Sequence, residues 1–127
     1  MTMNSYQEPR YHWNKAAETI KQAGENLRDR LGDRPFSKTE INGEVLKLSD
    51  YAPNSIYPSD YCYNMLNKYP GSFEFPLFEQ IQHGFYRYLG PSYKYSGIIC
   101  WKGKPVGYWK EGRYRLERDP RKKQNRD

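Results

Sequence analysis

Pro58-Ser59-Asp60-Tyr61-Cys62-Tyr63-Asn64-Met65-Leu66-Asn67-Lys68 is the stretch whose reading decides the fold. Taken at a period near 3.6, it is a helix. Pro58 suits a first helical turn, where its missing N–H is not needed, and Asp60 sets negative charge at the positive end of the helix dipole. Tyr61, Cys62, Met65 and Leu66 then make a buried side. Ser59, Tyr63, Asn64, Asn67 and Lys68 fall largely on the other side. Pro70-Gly71 ends the segment.

Two helical patterns come before it. Between Tyr11 and Leu31, the residues Trp13, Ala17, Ile20, Leu27 and Leu31 fall close to one stripe, with Gly32 as a stop. Ser37-Lys38-Thr39-Glu40 is a capping box that opens a second helix, from about Lys38 to Leu48. Ile41, Val45 and Leu48 give its apolar spacing, and Phe36 can staple onto Ile41. Gly43 weakens this helix by roughly 1 kcal/mol relative to Ala and leaves room for another backbone to approach. Residues Ser49 to Tyr57, with Pro53 and Asn54-Ser55, read as a loop.

Downstream the period changes to two. Leu77–Ile81 and Phe85–Leu89 read as strands around a His83-Gly84 turn. Ser96–Trp101, Val106–Lys110 and Arg113–Leu116 read as three more. The expected class is α+β: three N-terminal helices followed by an antiparallel β-hairpin and sheet, winged-helix-like. In that layout the second and third helices form a helix-turn-helix pair, and the third enters the DNA major groove. The 49–57 loop is longer than the turn of a plain helix-turn-helix, and the strands after Ser96 exceed a minimal wing. The expected organisation is a flexible arm at 1–10, a single winged-helix-like domain at 11–117 and a disordered basic tail at 118–127.

A chain of 127 residues fits one domain. Its hydrophobic fraction is 36%, so rings must supply much of the apolar surface, and there are 13 Tyr to do it. Those rings either close a core edge or face a partner. The net charge is +6, and its placement matters more than its size. Residues 1–100 hold 11 basic and 11 acidic side chains, whereas 101–127 hold 10 basic and 4 acidic. The excess therefore sits at the C-terminal end, as a polyanion-steering patch or a solubilising tail.

Cys62 and Cys100 stand in apolar surroundings, and neither His12 nor His83 lies at metal-type spacing from them, so no zinc site and no other cofactor is expected. The N-terminus lacks a signal-type apolar stretch, and no run approaches the ~20 residues that span a bilayer. The expected location is the cytoplasm, with reduced thiols and no membrane partner.

The binding candidates follow from chemistry. Asn can pair with adenine, and Lys or Ser with base or phosphate, so Ser59, Tyr63, Asn64, Asn67 and Lys68 are the readers on the expected third helix. Arg87 and Lys94 stand among Tyr86, Tyr88, Tyr93 and Tyr95, rings that either stack on bases or pack against the helices. Arg113, Arg115, Arg118, Arg121, Lys122 and Lys123 are the phosphate candidates of the basic end. Motifs for catalysis are absent. There is no phosphate loop ending in Lys-Ser/Thr and no Gly-x-Ser-x-Gly elbow, and the carboxylates are scattered. The chain is expected not to be an enzyme.

Pro58-Ser59-Asp60-Tyr61-Cys62-Tyr63-Asn64 with Asn67-Lys68, then Leu77-Phe78-Glu79, Gly84-Phe85-Tyr86-Arg87-Tyr88-Leu89-Gly90 and Tyr93-Lys94-Tyr95-Ser96-Gly97, resembles the signature of a family of small bacterial and phage domains. Some of its members are associated with restriction-type or defence-related proteins. The resemblance covers residues 36–100 and implies a winged-helix-like module for nucleic acid or a defence partner, with no catalytic residues to carry over. The first expectation is therefore a non-enzymatic DNA-binding module that takes DNA or RNA through phosphate contacts, in phage or bacterial defence or counter-defence. The alternative is a small phage-encoded inhibitor, of anti-CRISPR or anti-restriction type, that binds a host protein or defence nucleoprotein. Trp101, Tyr108 and Trp109 would be its interface anchors.

Overall fold

In a computed structural model the chain is described over residues 5–11, 13–67 and 74–120. Helix α1 spans Lys15–Leu31. It starts later than the apolar stripe because Asn14 caps it, its side chain accepting from the Ala17 amide at 2.8 Å. It stops at Gly32, whose φ of 88° favours glycine. Strand β1 is Phe36–Ser37, and helix α2 is Lys38–Leu48. The capping box is formed both ways: Glu40 N–H donates to Ser37 Oγ at 3.0 Å, and Ser37 N–H donates to Glu40 Oε1 at 2.9 Å.

Strands β2 (Phe78–Gln82) and β3 (Phe85–Tyr88) join β1 in an antiparallel sheet ordered β1-β3-β2. Strands β4 (Gly97–Trp101), β5 (Lys104–Lys110) and β6 (Arg113–Leu116) form a second antiparallel sheet ordered β4-β5-β6. Each sheet has its own core. Ile20, Leu27, Phe36, Ile41, Leu77 and Phe78 fill the first, between the helices and the β1-β3-β2 sheet. Tyr63, Leu66, Tyr95, Ile99, Val106 and Trp109 fill the second.

Over its described residues, 58–67, the expected third helix is not formed, and the winged-helix reading falls with it. Pro58–Tyr61 is a single 3-10 turn, and at Cys62 the backbone is already extended, with φ −103° and ψ 143°. Residues 62–66 then run between the two sheets. Cys62 forms a parallel bridge with Phe78 of the first sheet, and Met65 forms one with Cys100 of the second. Tyr63 N–H donates to Phe78 O and Leu66 N–H to Cys100 O, each at 2.8 Å. The physical reason lies in the burial pattern. Cys62 is buried in the first core and its neighbour Tyr63 in the second. Two consecutive side chains pointing into opposite cores require an extended backbone. Among the described residues the order of elements is therefore helices α1 and α2, a stitching segment and two three-stranded sheets, not a helical trio with a wing.

The described part of the 1–10 arm lies against the second sheet. Gln7 and Tyr114 exchange both backbone hydrogen bonds at 2.8 Å. Beyond it, the Tyr11 hydroxyl accepts from the Ser92 amide at 2.7 Å.

Candidate functional site

The second sheet has one face on the core and one on solvent. Gly97, Ile99, Trp109, Tyr114 and Leu116 belong to the inner side, as alternation requires. On the outer side Ile98 pairs with Tyr108, and Tyr108 pairs with Arg115, so these three lie in register across β4, β5 and β6. Lys110 and Arg113 form the next pair along. Ile98 is 57% exposed, the most open large apolar side chain among the described residues.

The centre of this face is a preassembled aromatic–cation cluster. The Arg115 guanidinium stands 4.9 Å from the Tyr108 ring centroid and 5.3 Å from that of Tyr6. Tyr6 meets Tyr108 edge-on at 5.9 Å. Arg115 also donates to the Tyr108 hydroxyl and pairs with Glu117 at 3.1 Å. The guanidinium and the phenol ring are thus held in place by contacts within the protein.

A second feature lies between the sheets. A cleft of about 520 Å³ is lined by Arg28 of α1, Arg87 of β3, and Tyr93 and Lys94 of the β3–β4 loop. Glu79 and Asp33 supply its carboxylates. Tyr95 O–H donates to Glu79 at 2.9 Å, and burial together with that bond pushes the Tyr95 phenol pKa up, so it stays a donor. Asp33 is 75% exposed and stands 3.6 Å from Arg87 Nε. The Arg28 guanidinium covers the Tyr88 ring at 4.8 Å.

A neighbouring cleft of about 550 Å³ shares Tyr93 and Lys94 and reaches Arg113. Arg28, Arg87, Lys94, Arg113 and Arg115 therefore follow one another from the first cleft, through the second, onto the outer face of the β4-β5-β6 sheet. Glu8 and Glu111 border the second cleft. Acidic side chains are thus interspersed with the cations, which weakens the net field of the clefts.

The sequence candidates divide sharply on this map. Arg87 and Lys94 share the first cleft, Lys94 and Arg113 the second, Arg115 follows Arg113 by two residues on β6, and Arg118 is exposed just past β6. The candidates of the expected third helix are not among them. Tyr63 is 1% exposed, and its hydroxyl donates to Gly90 O at 2.7 Å. Asn64 exchanges two hydrogen bonds with the Gln80 backbone, both at 2.9 Å. Asn67 Nδ2 donates to Ser59 O at 2.6 Å and to Asp60 at 3.2 Å. Their polar groups are used inside the protein. Lys68, Arg121, Lys122 and Lys123 lie outside the described residues. Tyr86 and Tyr88 are buried at 5% and 2%, against the helices as one of their two readings had it.

Arg28, Tyr6 and Ile98 were not singled out by sequence. Arg28 reads as one more charge on a solvent helix face, and only the fold sets it beside Arg87. Tyr6 lies in a polar stretch with no period, and Ile98 counts as core until the register of β4 turns it outward.

Cys62 is fully buried, which raises its thiol pKa well above the usual range and leaves it a packing residue. Among the described residues no three His, Cys, Asp or Glu groups stand together as a metal set. Among them, too, no helix is long and apolar enough to cross a membrane.

Residues 15–116 match a family described as a domain of unknown function, DUF7225. A relative, "Uncharacterized protein YnaC" of Bacillus subtilis (strain 168), is 37% identical over 101 residues. That alignment takes in 75% of this chain and 36% of the relative, so the chain spans about a third of that protein's length. No solved structure matches the chain.

Proposed function

Starting from the premise that the chain belongs to the DUF7225 family, we propose that it is a non-enzymatic module that binds single-stranded nucleic acid across the β4-β5-β6 sheet and the adjoining clefts. The observation that carries this reading is the register Ile98–Tyr108–Arg115 across three strands, solvent-facing and continued by a line of cations. Aromatic rings on an open sheet face stack on bases of any sequence, and neighbouring Arg and Lys hold the phosphates. Tyr108 and the 47%-exposed Tyr93 are the stacking rings. Arg113, Lys94 and Arg87 are the phosphate contacts. A duplex is the poorer ligand, because the segment expected to enter its major groove is one 3-10 turn, an extended Cys62 and a turn at Tyr63-Asn64, tied to both sheets.

The test is fluorescence anisotropy at low salt, with a labelled single strand of about 12 nucleotides and the corresponding duplex. The single strand binds more tightly, and Tyr108→Ala weakens it by roughly 5- to 150-fold, the equivalent of ~1–3 kcal/mol per stacked base. Equal affinity for the duplex, or no effect of Tyr108→Ala, contradicts the proposal.

A second reading, an inhibitor docking on a host defence protein, is favoured by one observation. Tyr57, Ile81 and Phe85 are exposed at 44%, 45% and 40%, and the last two flank the β2–β3 turn. Co-purification of a host protein that persists after nuclease treatment, and that Phe85→Asp abolishes, would favour it.

A further inference from the structure

We propose that the cleft between α1, β3 and the β3–β4 loop is a phosphate-monoester site, taking the phosphate of a nucleoside monophosphate or of a phosphorylated strand end; this deepens the strand-binding reading above.

Three cations reach the cleft from three separate elements: Arg28 from α1, Arg87 from β3 and Lys94 from the loop. Among the described residues neither Arg28 nor Lys94 has an ion-pair partner. Arg28 rests on the Tyr88 ring, which orients the guanidinium without neutralising it. Arg87 Nε is a buried nitrogen with no hydrogen-bond acceptor in the described structure. Its charge partner, Asp33, is 3.6 Å away, beyond a good hydrogen bond, and 75% exposed. If Asp33 turns aside, the place it occupies beside Nε is open to an anionic oxygen of a ligand.

The charge count selects a monoester over a diester. Three cations face two carboxylates, Glu79 and Asp33. Glu79 keeps its charge while accepting from the neutral Tyr95 hydroxyl, whereas Asp33 is 75% exposed and can turn to solvent when an anion takes its place beside Arg87. Three cations against Glu79 then match a group of charge near −2, which a terminal phosphate carries at neutral pH and an internal phosphodiester does not. Guanidinium groups suit it through paired N–H donors. The exposed ring of Tyr93, on the same lining, offers a face to the adjoining base. At about 520 Å³, the cleft falls in the range of small-molecule sites.

The test compares AMP, adenosine and inorganic phosphate by titration calorimetry on the full chain, beside oligonucleotides with and without a phosphate at either end. AMP should bind at least about tenfold more tightly than adenosine, and inorganic phosphate should compete with it. Lys94→Gln and Arg87→Gln should each cost AMP about tenfold. Because Lys94 is exposed and makes no internal ion pair, its variant tests the site without threatening the fold. Tyr108→Ala should leave AMP binding unchanged. Equal binding of AMP and adenosine, or Lys94→Gln and Arg87→Gln variants that bind AMP as the parent does, overturns the proposal. The two failures separate cleanly. Strands that bind without preference for a terminal phosphate, with no AMP binding, sink the cleft and spare the sheet face. AMP binding with no strand binding does the reverse.

Discussion

The Trp109 indole N–H donates to the backbone carbonyl of Tyr63 across 2.6 Å, and the two rings meet edge-on with centroids 5.0 Å apart. This pair fastens the second sheet to the segment between the sheets. The same tyrosine reaches on to the site. Its hydroxyl donates to Gly90 O at 2.7 Å and accepts from the Tyr93 amide at 3.1 Å, so it holds the loop that presents Tyr93 and Lys94.

Tyr63→Phe removes the hydroxyl and leaves the Gly90 carbonyl and the Tyr93 amide without it. The expected loss is roughly 1–3 kcal/mol of unfolding free energy, measured by urea denaturation. The loop should loosen as well, so ligand affinity falls although Tyr63 touches no ligand. A variant with parent stability would show that these bonds are replaced by water at no cost.

Two glycines in helices should respond to Ala with opposite signs. A Cβ at Gly43 meets nothing within 4 Å, so Gly43→Ala should stabilise by about 0.5–1 kcal/mol through helix propensity. A Cβ at Gly24 runs into the buried Tyr88 ring, so Gly24→Ala should destabilise by roughly 1–3 kcal/mol despite the same propensity gain. Thermal melts of both variants settle the matter. Gly24→Ala above the parent contradicts the packing of α1 on β3, and Gly43→Ala below it contradicts the open surface of α2 at that position.

Buried Glu44 is held by Arg30 at 2.8 Å, with Asn26 at 3.3 Å. The Arg30 hydrogen bond is the main cause that keeps its pKa below the usual carboxylate value, against desolvation. Its folded pKa is below its unfolded one. Its contribution is therefore complete above the ordinary value of about 4.3 and is lost as pH falls through the folded value. Glu40, held first by Arg34 and then by the Ser37 amide, acts with the same sign. Asp60 acts with the opposite sign: burial raises its pKa, so its contribution is lost as pH rises through that raised value. Glu44→Gln should cost roughly 2 kcal/mol at neutral pH and progressively less as pH falls below the ordinary carboxylate range. A cost that does not change with pH would show that Glu44 acts by shape rather than charge.

The parts of the fold set by local chemistry were legible in the sequence. The Ser37–Glu40 box, the Gly32 stop and the period-two strands all depend on near neighbours, and the structure has them close to their expected places. The 58–68 segment was not legible. Apolar side chains at 61, 62, 65 and 66 fit one helix face, and they fit equally an extended chain buried on both sides. Only the second core decides between them, and Tyr95, Ile99, Val106 and Trp109, which build it around Tyr63 and Leu66, lie more than thirty positions downstream of Tyr63. Gly43 suggested close backbone approach, whereas backbone approaches closely at Gly107, beside Arg115 and Leu116, and Gly24 lies against the Tyr88 ring. Of the site, Arg87, Lys94, Arg113 and Arg115 were visible as charges, but their alignment depends on sheet register and on a loop, which spacing does not encode.

The most direct measurement is the salt dependence of single-strand binding for the parent and for Arg87→Gln, Lys94→Gln and Arg113→Gln. If the line of cations contacts phosphates, the logarithm of affinity falls linearly with the logarithm of salt, and each substitution makes the slope shallower by about 0.7. Parent affinity that is indifferent to salt, or variants that keep the parent slope, would mean that no strand lies along these residues.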